Sequence, residues 1–235
     1  MAPLLQFEAL AEDALLLHFG ERIDADLNDR VHSATACLRQ RLPALECVPA
    51  YASLLLRFDP LAWRGPHGEP GHPRLQAAVV AALDGHAALA GTPREVRIPV
   101  CYGGDDGPDL DEVAAHCRLR REEVIARHTA ADYRVAMLGF APGFPYLLGL
   151  DPRLAMLRRA DPRQRVPAGS VAIGGSQTGI YPDVLPGGWQ LLGRTPLRLF
   201  DARRAAPALL APGDRVRFVA IDAGAFAALA AERDA

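Results

Sequence analysis

The chain contains no lysine: all 26 of its basic residues are arginine. That absence excludes a phosphate-loop lysine, a Schiff-base lysine and a biotinylated lysine on this chain. Any carboxylate or phosphate must be met by arginine, backbone N–H groups or hydroxyls. Cysteine is scarce, and Cys37, Cys47, Cys101 and Cys117 show no CxxC spacing. They are expected to be reduced and to pack as small hydrophobes. His67 and His72 lie in GPHGEPGHP, a Gly/Pro loop without ligand spacing, so no metal is expected. No apolar run approaches the ~20 residues a membrane span needs. The N-terminal MAPLLQFEALAEDALLL has no basic start and carries Glu8, Glu12 and Asp13, unlike a secretory leader. A cytoplasmic protein is expected. The net charge of −2 leaves no electrostatic footprint for nucleic acid.

What is present is a well-mixed chain of 235 residues, half of them hydrophobic. That is enough for one large domain or two small ones. Strand signals run over Leu4–Ala9, Ala14–Phe19 and Ala52–Phe58. Asp24–Leu42 reads as a helix with Leu27, Val31, Ala34 and Leu38 on one face. A second helix opens at Pro73 and is expected to run to about Leu89; Arg94–Val100 then returns as a strand. Two helices over an antiparallel sheet predict an N-terminal ferredoxin-like α/β sandwich over residues 1–100. The turn-rich CYGGDDGPD from Cys101 to Asp109 marks the boundary. Two short helices follow, one capped by Asp109 and one over Arg121–His128. Strands are expected at Tyr133–Leu138, Leu197–Phe200 and Arg215–Val219, with a last helix over Ala223–Glu232. Many short strands with regular turns predict a compact β-barrel over residues 101–235, and α+β as the fold class.

The stretch Arg163–Pro196, RQRVPAGSVAIGGSQTGIYPDVLPGGWQLLGRTP, carries seven glycines, four prolines and only four charged residues. It is too apolar for a linker and too interrupted for a helix. Short β pieces at Ser170–Ile173 and Gly188–Leu192 alternate with turn chemistry. A companion loop, GFAPGFPYLLGLDP, spans Gly139–Pro152. Glycine lets backbone approach a ligand closely and proline fixes the loop that carries it. Two such loops read either as the walls of a built site or as barrel corners. They are expected to expose Phe144, Leu147 and Trp189 for a partner or ligand.

The segment from His128 to Asp201 closely resembles the family of the 5-oxoprolinase B subunit (PxpB), which includes the sporulation kinase inhibitor KipI and allophanate hydrolase subunit 1. It is also similar to half of the carboxyltransferase domain of urea carboxylase. The resemblance extends more weakly over the rest of the chain, to the closing GDRVRF. It implies a ferredoxin-like domain followed by a cyclophilin-like barrel. It also implies two 5-oxoprolinase partners, a larger C-type subunit and an A-type subunit, with which ATP drives the opening of 5-oxoproline to glutamate. Other members imply two alternatives: a histidine-kinase inhibitor, or a carboxyltransferase-like subunit in urea or allophanate metabolism, whose biotin would ride on another chain.

Within that frame His128 is the acid/base candidate, placed near a helix end that favours a charged imidazole. The competing reading is a structural histidine. Arg163 and Arg194 are candidates for anion binding, with Arg165 beside them and Arg158 and Arg159 as a weaker pair; paired surface arginines are the alternative. Gln177, Tyr181, Tyr146 and Thr195 are neutral groups suited to a lactam, or else they satisfy loop backbone. His128, Arg194, Gln177 and Tyr181 are expected to share one cavity.

Overall fold

A computed structural model describes residues 5–84 and 94–234. The chain divides into two compact units, residues 1–92 and 93–235.

The first unit begins with a hairpin of β1 (Gln6–Ala11) and β2 (Ala14–His18). Helix α1 (Ala25–Arg41) starts where the Asp24 carboxylate accepts the N–H groups of Asp26 and Leu27 at 2.9 and 3.1 Å. This satisfies two of the donors that every helix start leaves open. Then come β3 (Glu46–Pro49), β4 (Ser53–Arg57), a single turn α2 (Pro60–Trp63) and α3 (His72–Leu83). The antiparallel sheet has the order β1-β2-β4-β3. Alternation along β2 and β4 buries Leu15, Leu17, Leu54 and Leu56 against Val31, Leu38, Leu75 and Val79. Helix α3 ends at Leu83. The rest of its expected run to Leu89 lies outside the described residues, as does Leu4.

The second unit opens with β5 (Glu95–Tyr102), followed by α4 (Leu110–Cys117), α5 (Arg121–Ala130), β6 (Tyr133–Leu138) and β7 (Pro145–Leu148). After these come β8 (Arg163–Val166), β9 (Ser170–Gly174), β10 (Gln177–Ile180), β11 (Leu185–Gly187), β12 (Gln190–Arg194), β13 (Arg215–Ile221) and α6 (Ala223–Asp234). Seven strands close a barrel in the order β10-β7-β6-β13-β5-β12-β9, and β8 pairs with β11 in a separate ribbon.

The strand expected to complete the first sheet belongs instead to the barrel. β5 runs parallel to β13 from Arg215↔Glu95 to Ile221↔Cys101 and pairs with β12 at its far end. In a βαββαβ sandwich the last strand would lie beside the first; here β1 holds that edge of β2. The division accordingly falls at residue 92 rather than near Cys101. Two further expectations change. Leu197–Phe200 forms no strand and contributes one bridge, Phe200↔Ala208. The loop Gly139–Pro152 contains β7, with Phe144 and Leu147 buried and Trp189 packed beside Phe144.

Strand alternation sorts the barrel wall into two faces. Val171, Ile173, Ile180, Leu147 and Leu192 point into the main core. Ala172, Tyr146, Trp189 and Leu191 fall on the opposite face, in a second cluster with Phe144 and Tyr181. Val166 and Leu185, from the β8–β11 ribbon, cover that cluster.

Candidate functional site

His128 lies near the end of α5 and is fully buried in the main core. Its ring stacks on Phe218 at 4.6 Å and packs against Tyr133 at 5.3 Å. Nδ1 meets the Tyr102 hydroxyl at 2.7 Å and Nε2 meets the Thr178 hydroxyl at 3.2 Å. Thr178 spends its proton on the Ala172 carbonyl at 2.9 Å. Nε2–H must therefore donate to Thr178, and Nδ1 accepts from Tyr102. Burial holds the imidazole pKa down at about 3 and pushes the Tyr102 phenol well up. The charged imidazole expected at a helix end is thus replaced by a neutral ring with both nitrogens used, because desolvation outweighs the helix dipole.

Arg163 grips a carboxylate bidentately, as its geometry favours, but that carboxylate is Asp109 of the same chain. The two N···O distances are 2.9 and 2.7 Å. Asp109 is buried, accepts the Leu191 N–H at 2.7 Å and also meets Arg159 at 3.4 Å. The expected side-chain cap at α4 is absent because the carboxylate is engaged here. It ties the β8 ribbon to barrel strand β12 and to the start of α4.

Arg194 donates Nε–H to the Ala168 carbonyl at 2.8 Å, lies 3.7 Å from Asp106 and sits over the Phe226 ring at 5.8 Å. Thr195 is buried and its hydroxyl oxygen accepts the Leu197 N–H at 3.3 Å. Tyr181 is buried edge-on to Phe144. Burial, the largest effect on it, raises its phenol pKa. His128, Arg194 and Tyr181 share no contact partner among these. Gln177 and Thr178 are neighbours on β10, so alternation sends Thr178 inward to His128 and Gln177 to the other face. His128 lies in the main core and Tyr181 in the second cluster, while Gln177 lines the depression described next.

What the structure does form is an open depression of about 510 Å³, lined by Leu157, Arg158, Gly174, Gly175, Ser176 and Gln177. Gly175 and Ser176 make the two-residue turn of the β9–β10 hairpin. Gly175 has φ +65°, and glycine at the first turn position suits a type II′ hairpin. At Gly174 a side chain would collide with the Trp189 ring at 2.8 Å, so the indole lies directly against the hairpin. Arg158 sits over that ring at 5.5 Å. Tyr146 packs on it at 5.9 Å, its phenol pKa raised by burial and lowered in part by the Arg158 charge. Sequence reasoning points to Gln177 and Tyr146 but ranks Arg158 low and misses Ser176. The Gly-Gly-Ser turn signal at 174–176 is the clue available.

At the neighbouring corner Phe140 holds φ +67° and is 61% exposed. A left-handed backbone costs an aromatic residue about 1–2 kcal/mol. Phe140 is thus the exposed aromatic of the Gly/Pro loops, in place of Phe144 and Trp189.

A family model described as "Carboxyltransferase domain, subdomain C and D" matches residues 5–210. The chain is 44% identical over 226 residues to a 5-oxoprolinase B subunit of Bacillus subtilis, covering 92% of each. Among solved structures it superposes on TTHA0988 with TM-score 0.76 at 41% identity, covering 89% of this chain and 40% of that longer one. The urea carboxylase of Kluyveromyces lactis matches in fold, with TM-score 0.74 at 21% identity over 98% of this chain and 23% of that one.

Proposed function

The chain belongs to the family of 5-oxoprolinase B subunits, within the carboxyltransferase subdomain C and D fold, and from that premise we propose that it is one member of a cytoplasmic, ATP-dependent complex that opens 5-oxoproline to glutamate. The observation that carries this is end-to-end similarity to a protein of that name, with 92% of both chains aligned. In this reading the first unit is a ferredoxin-like sandwich with its edge strand rearranged, and the barrel is of the cyclophilin-like kind.

The chemistry explains why several chains are needed. A lactam is a resonance-stabilised amide and a poor electrophile. Transfer of the ATP γ-phosphoryl group to its oxygen breaks that resonance. One water then attacks the same carbon and the C–N bond opens, the nitrogen taking up the proton, to leave an acyl phosphate; a second water hydrolyses that to the carboxylate and free phosphate. This chain lacks lysine and a phosphate loop, so we assign the nucleotide to the assembly with the A-type and C-type partners. This chain contributes a surface for the organic substrate. His128 supports the barrel rather than moving a proton.

Co-expression with the A-type and C-type homologues of the same genome tests this. The complete complex should release glutamate from 5-oxoproline in step with ATP consumption, and omission of this chain should abolish release. A complete, soluble complex that leaves 5-oxoproline intact would overturn the reading.

A further inference from the structure

The arginines around the β8 ribbon and β12 differ in one respect. Arg163 is committed to Asp109, Arg159 to Asp109 and Glu112, and Arg194 faces Asp106. Among the described residues Arg158 and Arg165 have no carboxylate within ion-pair distance, and of the two Arg158 lines the depression, with anchored backbone on both sides of it. Met156 and Gly175 exchange two backbone hydrogen bonds of 3.2 and 2.7 Å. The Leu157 carbonyl accepts from Gln190 Nε2 at 3.0 Å, and the Arg159 N–H donates to the Gly188 carbonyl at 2.7 Å. Arg158 is thus a free cation on a fixed base. Its contact with the Trp189 face consumes none of the five N–H donors of a guanidinium.

We propose that the depression beside the β9–β10 turn binds a small monocarboxylate carrying a neutral amide, with Arg158 gripping the carboxylate. The Ser176 hydroxyl and the Gln177 carboxamide line the same depression and have no side-chain hydrogen-bond partner among the described residues. Together they offer donors and acceptors to an amide N–H and C=O. Trp189 and Leu157 supply apolar surface for a compact ring. A single cation among the lining residues matches one negative charge better than the two of a phosphate. The identity of the natural ligand as 5-oxoproline rests on the functional reading above; the carboxylate-and-amide chemistry of the site does not.

The chain has two tryptophans, Trp63 and Trp189, so an ¹⁵N-labelled full-length sample gives an indole signal at the site and one elsewhere as reference. Titration with 5-oxoproline should shift the Trp189 signal saturably and leave that of Trp63 in place. 2-Pyrrolidinone, the same lactam without its carboxylate, should bind roughly tenfold or more weakly. Arg158→Gln should reduce 5-oxoproline to the pyrrolidinone level without changing pyrrolidinone binding, and Arg158→Lys should restore part of the difference. In the assembled complex the same Arg158→Gln change should raise KM for 5-oxoproline with kcat retained. Equal binding of the two lactams, no saturable Trp189 response, or an unchanged affinity in Arg158→Gln would overturn the proposal. So would a stronger Trp189 response to inorganic phosphate. A complex that fails to open 5-oxoproline while Trp189 and Arg158 still discriminate the two lactams would instead overturn the functional reading alone.

Discussion

The two faces of the barrel wall carry similar polar side chains in opposite states. Inside, Tyr102, His128 and Thr178 form a chain that ends on the Ala172 carbonyl, with each donor and acceptor assigned. On the other face, Arg158, Ser176 and Gln177 converge on an open depression with their polar groups unspent. Asp109 and Arg163 behave like the interior set, since the arginine fork closes on a buried carboxylate. For these residues pairing, more than residue type, separates the interior set from the set at the depression, although the Tyr133 hydroxyl beside His128 is buried without a partner among the described residues. A buried polar group must be satisfied by the protein itself, whereas a group at a binding surface can wait for its ligand. Changes to the paired set should cost stability, and changes to the unpaired set should cost ligand affinity with the fold intact.

The most severe test removes a whole strand. A fragment of residues 93–235 keeps β5 and should give a dispersed amide spectrum, while one starting at Pro108 lacks β5 and should not fold. A folded fragment from Pro108 would show that the β5–β13 pairing is dispensable. Next in size is Asp109→Ala, which strands Arg163 and the Leu191 N–H. Urea unfolding should show a loss of about 3–5 kcal/mol. A loss below ~1 kcal/mol would place Asp109 with the unpaired set.

His128→Leu sharpens the comparison through pH. The folded-state pKa lies near 3, against 6.5 for the free group. Between those values the unfolded chain binds the extra proton, so stability rises with pH across the window. The wild type should lose up to about 1.4 kcal/mol per pH unit on going from pH 6.5 toward 3. His128→Leu should show a shallower fall over the same range, apart from effects of carboxylates shared by both proteins. Identical slopes would mean that His128 is solvated and available for chemistry. The smallest effect is expected at Gly175→Ala. The φ of +65° strains any side chain, but a Cβ there meets nothing within 4 Å. The cost should be about 1–2 kcal/mol in thermal or urea unfolding. A much larger loss would mean that the turn is pinned by more than its backbone angle.

Much of the local structure was legible. The helix over Asp24–Leu42 with its apolar stripe and the strands at Ala14–Phe19, Ala52–Phe58 and Ser170–Ile173 follow from short-range rules, and the structure has α1, β2, β4 and β9 there. Of the candidates named from the sequence, Gln177 lines the depression and Tyr146 packs on Trp189 beside it. The placement of β5 was not. Its alternating Val96, Ile98 and Val100 fit any half-buried strand, and its partner β13 lies more than a hundred residues away.

By itself the sequence determined most of the element types and the rule that every permanent side-chain cation is an arginine, and its long Gly/Pro motif carried the resemblance to the family. The element types follow from periodicity and turn chemistry, which act over a few residues, and the arginine rule from composition. Only the tertiary structure decided which arginines find a carboxylate. Arg158, Arg159, Arg163 and Arg194 have the same guanidinium. Their fates differ because Asp109 and Asp106 arrive from distant parts of the chain and neutralise or face three of them. Likewise His128 became a neutral core residue because closure of the barrel withdrew water from it, and desolvation is a property of the assembled fold that no single segment carries.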